Sequence, residues 1–194
     1  MSGIIGDNLG RSGGLVKAAA AATGTFVHLI TQDFTSAISN FSWDSTYITT
    51  TYDTYLIVWQ MRSATQVSAD MRVSSDDGSS WSTGYSDGFV VGAGGVGNEN
   101  NDTRTYMKIS EAAGNETNEY SQGQIWLCNP MSSAYQTTIF ANSMVVNASG
   151  LRQVTMHSGL NNTLAQDNAV LFGSGGFTAN LEEGKYSLYG VKRS

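Results

Sequence analysis

Histidine and cysteine, the residues that most often carry nucleophilic or metal chemistry, are scarce in this sequence. It has two histidines, His28 and His157, and one cysteine, Cys128. Each histidine occupies an alternating position of a β-type segment, and neither has a metal-ligand spacing to another histidine or to the cysteine. Cys128 ends an apolar run (IWLC, residues 125–128), a setting typical of a small buried hydrophobe and not of an activated thiol. We therefore predict ordinary structural roles for all three residues.

Carboxylates are the remaining residue type that could support an enzyme, because a glycosidase needs two of them facing each other across the scissile bond. The candidates lie mostly in segments of loop-like composition, which favours solvated acidic loops: Glu99, Asp102, Glu111, Glu116, Glu119, Asp167, Glu182 and Glu183. No nucleophile elbow, phosphate-binding loop or dinucleotide fingerprint accompanies them. The sequence therefore predicts a protein that is not an enzyme and that uses no cofactor.

Calcium binding is conceivable at one acidic loop. Glu99 and Asp102 could bind the ion together with an amide oxygen of Asn98 or Asn100, since hard cations prefer oxygen ligands. The spacing of these residues does not match an EF-hand. We predict no metal site, and the question of calcium at this loop stays open.

The most specific local motif is SSDDGSSW, residues 74–81. It matches the S-x-D-x-G-x-x-W pattern known as an Asp-box through Ser74, Asp76, Gly78 and Trp81. In such a hairpin the carboxylate accepts hydrogen bonds from turn amides, the glycine takes a positive φ and the tryptophan packs beneath the turn. In sialidases and other β-proteins the pattern resembles a brace away from the chemistry, and one copy does not indicate a propeller. We predict a structural turn.

The elements that would position these residues are β-strands. From Thr25 onward, aromatic and β-branched runs alternate with Gly- or Asx-rich stretches at roughly the 8 to 12 residue spacing of sandwiches and barrels. Alternation predicts two strands with core-facing sets, Tyr55, Ile57, Trp59 and Met61 in one and Val67, Ala69, Met71 and Val73 in the other. With the other runs, about nine or ten strands are expected, enough for two packed sheets. We predict one all-β domain over residues 25–194, a single jelly-roll-like antiparallel β-sandwich.

Two features are predicted to interrupt the strands. Pro130, the only proline, follows Asn129 between two β-type runs and predicts a turn. Residues 92–101 (GAGGVGNENN) show no strand pattern, which predicts a mobile surface loop.

The N-terminal segment, residues 1–24, differs from the rest of the chain. It is rich in glycine and has no aromatic residue, so it cannot bury a core of its own. Asp7 lies where a signal peptide would carry positive charge, and the run of alanines at 18–22 is too short and weak for its apolar core. We predict a flexible docking arm and prefer it to a frayed terminus because of five apolar residues, Ile4, Ile5, Leu9, Leu15 and Val16.

Composition narrows the classes of partner. Charged residues make up 13% of the chain, the formal net charge is −6, and the ten lysines and arginines are spread singly. Without a basic stripe to neutralise phosphates, we predict no nucleic-acid partner. No apolar run is long enough for membrane insertion, and a single cysteine cannot form an intramolecular disulfide. These features fit synthesis in the cytosol.

Several segments, in order, resemble small structural proteins of tailed-phage virions. They are the opening MSGIIGDNLGRSGGLVKA, Phe34 and residues 41–42 ahead of YDTYLIV (52–58), then MRVSSDDGSSW (71–81) and the closing GKYSLYGVK (184–192). The resemblance covers nearly the whole chain. It implies a tail-fibre-like or capsid-decoration-like protein with a jelly-roll sandwich, frequent trimerisation and no catalytic residues.

The expected function is therefore that of a non-enzymatic virion structural protein, made in the host cytoplasm. It would be a short tail fibre or adaptor, or a capsid decoration protein, that docks on capsid or tail proteins through its arm. A homo-oligomer is expected, a trimer by resemblance. The alternative is a carbohydrate-binding module for host surface glycans that stacks sugars on aromatic residues such as Trp81, Tyr85, Trp126 and Tyr135. A depolymerising enzyme would need a carboxylate pair that the sequence does not reveal.

Overall fold

The chain folds into β-strands joined by loops. The computed structural model describes residues 26–92 and 96–192, except for the side chains of residues 96–102. No helix occurs among the described residues, so none of them belongs to a helix that could span a membrane. The strands are β1 Phe26–Phe34, β2 Phe41–Trp43, β3 Thr54–Ser63, β4 Ala69–Ser74, β5 Tyr85–Gly92, β6 Val96–Arg104, β7 Met107–Lys108, β8 Ser121–Cys128, β9 Thr138–Val146, β10 Arg152–Asn161, β11 Ala169–Ser174 and β12 Leu181–Val191.

The order of the strands is that of a jelly roll with four added strands. The larger sheet has the order β1-β12-β3-β8-β9-β10-β5-β6 and the smaller one β2-β11-β4-β7, with antiparallel pairs throughout. Without β5, β6, β9 and β10, two four-stranded sheets remain, in the double Greek-key arrangement of jelly rolls. The prediction of an all-β, jelly-roll-like antiparallel sandwich is confirmed. The hairpins β5-β6 and β9-β10 extend only the larger sheet.

The core lies between the two sheets and is rich in aromatic rings. Along β3 the alternating residues Tyr55, Ile57, Trp59 and Met61 are all buried, as predicted. In the other predicted set Ala69, Met71 and Val73 are buried, whereas Val67 precedes β4 and is only half-buried. The rings that join the sheets belong to Phe41, Trp43 and Phe172 of the smaller sheet and to Phe34, Trp59 and Tyr186 of the larger one.

The prediction of a loop over residues 92–101 is wrong for its second half. Residues 96–104 form β6, which pairs with β5 in the register Gly92↔Val96 to Tyr85↔Arg104. This strand could form without an alternating pattern because strand pairing uses backbone hydrogen bonds, which any sequence without proline can supply. The expected turn at Pro130 is present, directly after the end of β8.

Both ends of the described chain lie at the same end of the sandwich. Phe26 pairs with Val191, and this row continues through Thr54 of β3 to Cys128 of β8. The loops next to this row, which we call the terminal end, comprise residues 44–53, 75–84, 129–137 and 162–168. The arm residues Ile4, Ile5, Leu9, Leu15 and Val16 lie outside the described residues.

Candidate functional site

His157, the more buried of the two histidines, is a structural residue. Its Nε2 lies 3.0 Å from Thr155 Oγ1, which in turn lies 2.5 Å from Ser143 Oγ, and its ring stacks on that of Phe89. Burial, assisted by the nearby positive charges of Lys108 and Arg104, lowers the pKa of His157 to about 3. The imidazole is therefore neutral at physiological pH and faces the core.

The other histidine and the cysteine lie in different environments. His28 is exposed, and its Nε2 lies 2.9 Å from Thr31 Oγ1. Cys128 is half-buried at the end of β8, so the prediction of a buried position holds only in part. The side chains of Glu99 and Asp102, the suggested calcium ligands, are outside the described part. Among the described residues, no group of three or more histidine, cysteine or acidic side chains could hold a metal ion.

Two of the acidic candidates are not solvated as expected. Asp167 is fully buried, and its Oδ2 accepts hydrogen bonds from Thr137 Oγ1 at 2.5 Å and from Asn161 Nδ2 at 3.0 Å. Glu119 is also buried, and its Oε2 accepts a hydrogen bond from the amide of Glu116 at 2.8 Å. Asp167 thus joins its loop to the loop of Thr137 and to β10, whereas Glu119 braces its own loop; such pairing offsets the cost of burying a carboxylate.

The Asp-box segment forms a compact turn after β4. Ser74 Oγ donates to Asp76 Oδ1 at 2.6 Å and accepts from the amide of Gly78 at 2.9 Å, while the amide of Ser80 donates to Asp76 Oδ1 at 2.8 Å. Hydrogen bonds from Ser74 and then Ser80 lower the pKa of Asp76 to about 2. Trp81 is half-buried and lies against Gly78. The residues therefore serve local structure.

Replacing Gly78 by alanine is expected to lower the free energy of unfolding by about 1 to 2 kcal/mol, because its φ of 82° disfavours a side chain. An added Cβ would also lie 3.3 Å from the Trp81 ring. Gly150→Ala is the matched control, since Gly150 has a similar φ of 71° but nothing within 4 Å of the added atom. Urea unfolding should show the larger loss for Gly78→Ala. Equal losses would mean that contact with Trp81 contributes nothing.

The most extensive feature of the surface is the solvent-facing side of the larger sheet. Six of the ten large hydrophobic side chains that are exposed in the described residues lie there. Together with half-buried neighbours on the same side of the sheet they make up what we call the apolar outer face: Phe26, Leu56, Val58, Val90, Trp126, Phe140, Met144, Val154 and Met156. Scattered exposed hydrophobics are normal, whereas a contiguous apolar patch marks an interaction surface.

Strand register shows that the apolar outer face combines apolar side chains with uncharged polar ones. One row of paired residues runs Leu56, Trp126, Phe140 and Ser158, and the next runs Val58, Gln124, Asn142, Met156 and Val90. These stretches of β3, β8, β9, β10 and β5 carry no charged side chain, and the first row continues through Tyr189 of β12 to His28 of the edge strand β1. Charged side chains lie at the margin, where Arg62 pairs with Glu182 and Glu183 and Lys185 lies 3.7 Å from Asp33.

A shallow depression lies near the middle of the apolar outer face. It has a volume of about 480 Å³ and is lined by Val58, Met144, Val154 and the backbone of Gly123, among others. Gly123 is required there, because a Cβ would lie 2.0 Å from the carbonyl oxygen of Asn142. The lining also includes the polar side chains of Gln122, Gln124 and Asn142, and a side chain of a partner could fit into the depression.

A second concave feature, which we call the tyrosine cleft, lies at the terminal end. It has a volume of about 400 Å³ and is formed by the loops that precede β3 and follow β8. Its lining includes Tyr52, Asp53, Asn129, Ser132 and Tyr135. Loops held at one end of a sandwich are common places for binding residues.

The aromatic residues suggested for sugar stacking have different environments. Tyr85 is fully buried, and its hydroxyl oxygen accepts a hydrogen bond from the amide of Val73 at 3.0 Å, so it cannot stack on a ligand. Trp81 packs on its own turn, and Trp126 lies on the apolar outer face next to Phe26, with ring centroids 6.0 Å apart. Tyr135 is 67% exposed and borders the tyrosine cleft. Of the four, Tyr135 is the most accessible to a ligand.

The sequence contained a signal for the apolar outer face that alternation did not capture. β3 includes the continuous apolar run YLIVW and β8 the run IWLC. Continuous runs of this kind are typical of strands that are covered on both faces. The tyrosine cleft has no comparable signal, because its residues come from two loops far apart in sequence.

Comparison with known proteins adds no relative. No protein-family model matches the chain, and neither the curated proteins nor the solved structures give a significant match.

Proposed function

We propose that this protein is a non-enzymatic structural component of a tailed-phage virion, a short tail fibre or adaptor or a capsid decoration protein. In this proposal copies of the chain associate through the apolar outer face, and the N-terminal arm attaches them to capsid or tail proteins. The observation that carries the proposal is the six exposed large hydrophobic side chains and the uncharged centre of that face. The sequence resemblance supplies the virion setting and the expectation of a trimer.

The chemistry of the apolar outer face favours contact between proteins. Burying apolar surface is favourable by roughly 25 cal/mol per Å². Because the two central rows carry no charge, their burial avoids the cost of removing ions from water. The marginal charges, such as those of Arg62 and Lys185, could stay hydrated at the rim, as in typical interfaces.

A second copy of the chain is the proposed occupant of this face. The two central rows are uncharged, so copies can associate through this face although each chain carries a net charge of −6. Symmetric association of identical chains is also the commonest form of assembly among soluble oligomers. Phe26, the first described residue, packs on Trp126 within the face. The arm would therefore leave the body beside the proposed interface.

The apolar outer face can be tested through the oligomeric state. We expect Phe140→Glu and Met156→Glu, which place charges in the uncharged rows, to convert the oligomer into monomers while the fold persists, because both side chains are exposed. Light scattering measures the mass and circular dichroism checks the fold. Leu164→Glu is the control, since Leu164 is 54% exposed and lies outside the face. An unchanged oligomer in both face variants, or a monomeric parent protein, would refute the proposed interface.

The arm is tested separately, with a variant that starts at Thr25. Its binding to particles that lack the protein is compared with that of the full chain, and the mass of both is measured. If the truncated variant no longer attaches but keeps its oligomeric state, the result supports docking through Ile4, Ile5, Leu9, Leu15 and Val16. If neither form attaches to particles, the virion proposal fails.

A further inference from the structure

The tyrosine cleft has the dimensions and the chemistry of a small-ligand site. Its volume of about 400 Å³ lies within the range of about 300 to 1,000 Å³ that is usual for such sites. It is bordered by Tyr52 and Tyr135, and hydroxyl, amide and carboxylate groups lie between them, from Thr50, Asp53, Asn129 and Ser132. Nothing in the proposed assembly role uses these residues.

The lining of the cleft narrows the class of ligand. It contains one carboxylate, from Asp53, and no lysine, arginine or histidine, so an anionic ligand would meet a negative charge without a compensating cation. A single carboxylate is too few for a calcium site, which takes six to eight oxygen ligands as a rule. A purely apolar ligand would leave the polar groups unpaired. A neutral molecule with many hydroxyl groups fits the lining best.

Tyr135 supplies the aromatic surface that such a molecule needs, whereas Tyr52 is held against the sandwich. The C–H face of a sugar ring can pack on an aromatic ring, which is hydrophobic across its face and polar at its hydroxyl. Tyr135 is largely exposed, so its ring is available to a ligand. Tyr52 lies flat against the backbone of Gly190, where an added Cβ would be 2.6 Å from the ring, and its ring also contacts that of Tyr55.

Backbone hydrogen bonds hold the polar side of the cleft in place before any ligand arrives. The amide of Asn129 donates to the carbonyl oxygen of Asp53 at 2.7 Å, which joins the two loops. Asn129 has a φ of 57°, and its carbonyl oxygen accepts from the amide of Ser132 at 3.1 Å. Ser132 Oγ accepts from the amides of Ala134 and Tyr135, so its own proton is left to donate. Preorganised groups of this kind lower the cost of binding.

We propose that the tyrosine cleft binds a neutral saccharide, with the ring of Tyr135 stacked on the sugar and Asp53, Asn129 and Ser132 hydrogen-bonded to its hydroxyl groups. This assignment does not rest on the virion role or on the oligomer. In this arrangement the carboxylate of Asp53 accepts hydrogen bonds from two sugar hydroxyls, and the side-chain amide of Asn129 both donates and accepts. The site is small enough for one or two sugar units, which predicts weak binding to each copy.

The test uses the full chain on a printed array of neutral mono-, di- and trisaccharides of glucose, galactose, mannose and their N-acetylamino forms. Sialylated and sulfated glycans are included on the same array. The strongest neutral ligand is then measured by titration calorimetry with Tyr135→Ala, Asp53→Asn and Ser133→Trp. The last variant fills the cleft from an exposed position in its lining. Leu164→Ala is the control, because it removes an exposed apolar side chain from another loop of the terminal end.

We expect at least a tenfold loss of affinity for Tyr135→Ala and for Asp53→Asn, loss of detectable binding for Ser133→Trp, and no change for Leu164→Ala. Thermal unfolding verifies that each variant is folded. The inference is overturned if no neutral saccharide binds the parent chain, if only anionic glycans bind, or if the three cleft variants keep full affinity. Saccharide binding that persists in a monomeric Phe140→Glu variant would show that the site is independent of assembly.

Discussion

Tyr186→Ala is expected to lower the free energy of unfolding by about 3 to 5 kcal/mol, which is among the largest losses that one substitution can cause in a core. Tyr186 is fully buried between the sheets, where its ring centroid lies 4.8 Å from that of Phe41 and 5.1 Å from that of Phe172. Its removal leaves a cavity between the sheets that the rings of the opposite sheet cannot close. Urea unfolding followed by tryptophan fluorescence measures the loss.

Tyr186→Phe separates the ring from its hydroxyl. Burial raises the pKa of Tyr186 and keeps the hydroxyl neutral, and that hydroxyl has no hydrogen-bond partner among the described residues. An unsatisfied buried polar group costs stability, so the phenylalanine variant should be about 1 kcal/mol more stable than the parent chain. A loss of more than 1 kcal/mol would mean that the hydroxyl makes a stabilising contact.

The second large effect concerns pH and Asp70. This carboxylate is fully buried, and it accepts hydrogen bonds from Ser68 Oγ at 2.9 Å and from the amide of Gly176 at 2.7 Å. Burial raises its pKa from the ordinary 3.8 to about 6, although the hydrogen bonds from Gly176 and Ser68, and then the charges of Lys108 and Arg104, oppose the shift. The folded state therefore retains a proton that the unfolded state has lost. Stability from this group is complete below about pH 4 and is lost as pH rises through 6.

Comparison of the parent chain with Asp70→Asn isolates this effect. The free energy of unfolding of the parent chain, relative to that of the variant, should fall by about 3 kcal/mol between pH 4 and pH 7.5, because each pKa unit corresponds to about 1.4 kcal/mol. His157 acts in the opposite direction, since its lowered pKa removes stability as pH falls below 6.5, but both proteins share it. Urea midpoints at five pH values provide the measurement. Parallel pH profiles would contradict the assignment.

The core of the fold was predictable from sequence because it follows alternation. Tyr55 to Met61 form a buried stripe in which every second residue is apolar, and the two-residue period of a strand fixes which side faces the core. Strand order, by contrast, depends on contacts between segments far apart in the chain. The pairing of β1 with β12 joins residues more than 150 positions apart, and no local pattern specifies it.

The candidate sites were predictable only in part. Trp126 and Tyr135 were recognised as aromatics that could contact a ligand, but Tyr85 could not be distinguished from them because burial depends on the opposite sheet. Asp167 was expected in a solvated loop, yet its hydrogen bonds come from Thr137 and Asn161, in other segments. The strand β6 was missed for a related reason, since the backbone of β5 pairs with it whatever its side chains are.

Because Phe26 pairs with Val191, the chain enters and leaves the β-sandwich at neighbouring positions. A domain of this kind can be inserted into a surface loop of another protein without separating the strands of the host, because the two junctions are only a strand spacing apart. It can also be circularly permuted, with a short linker across the junction and new ends at an open turn such as that of Gly150. The body could therefore be transferred between unrelated carriers as a unit during evolution or in engineering.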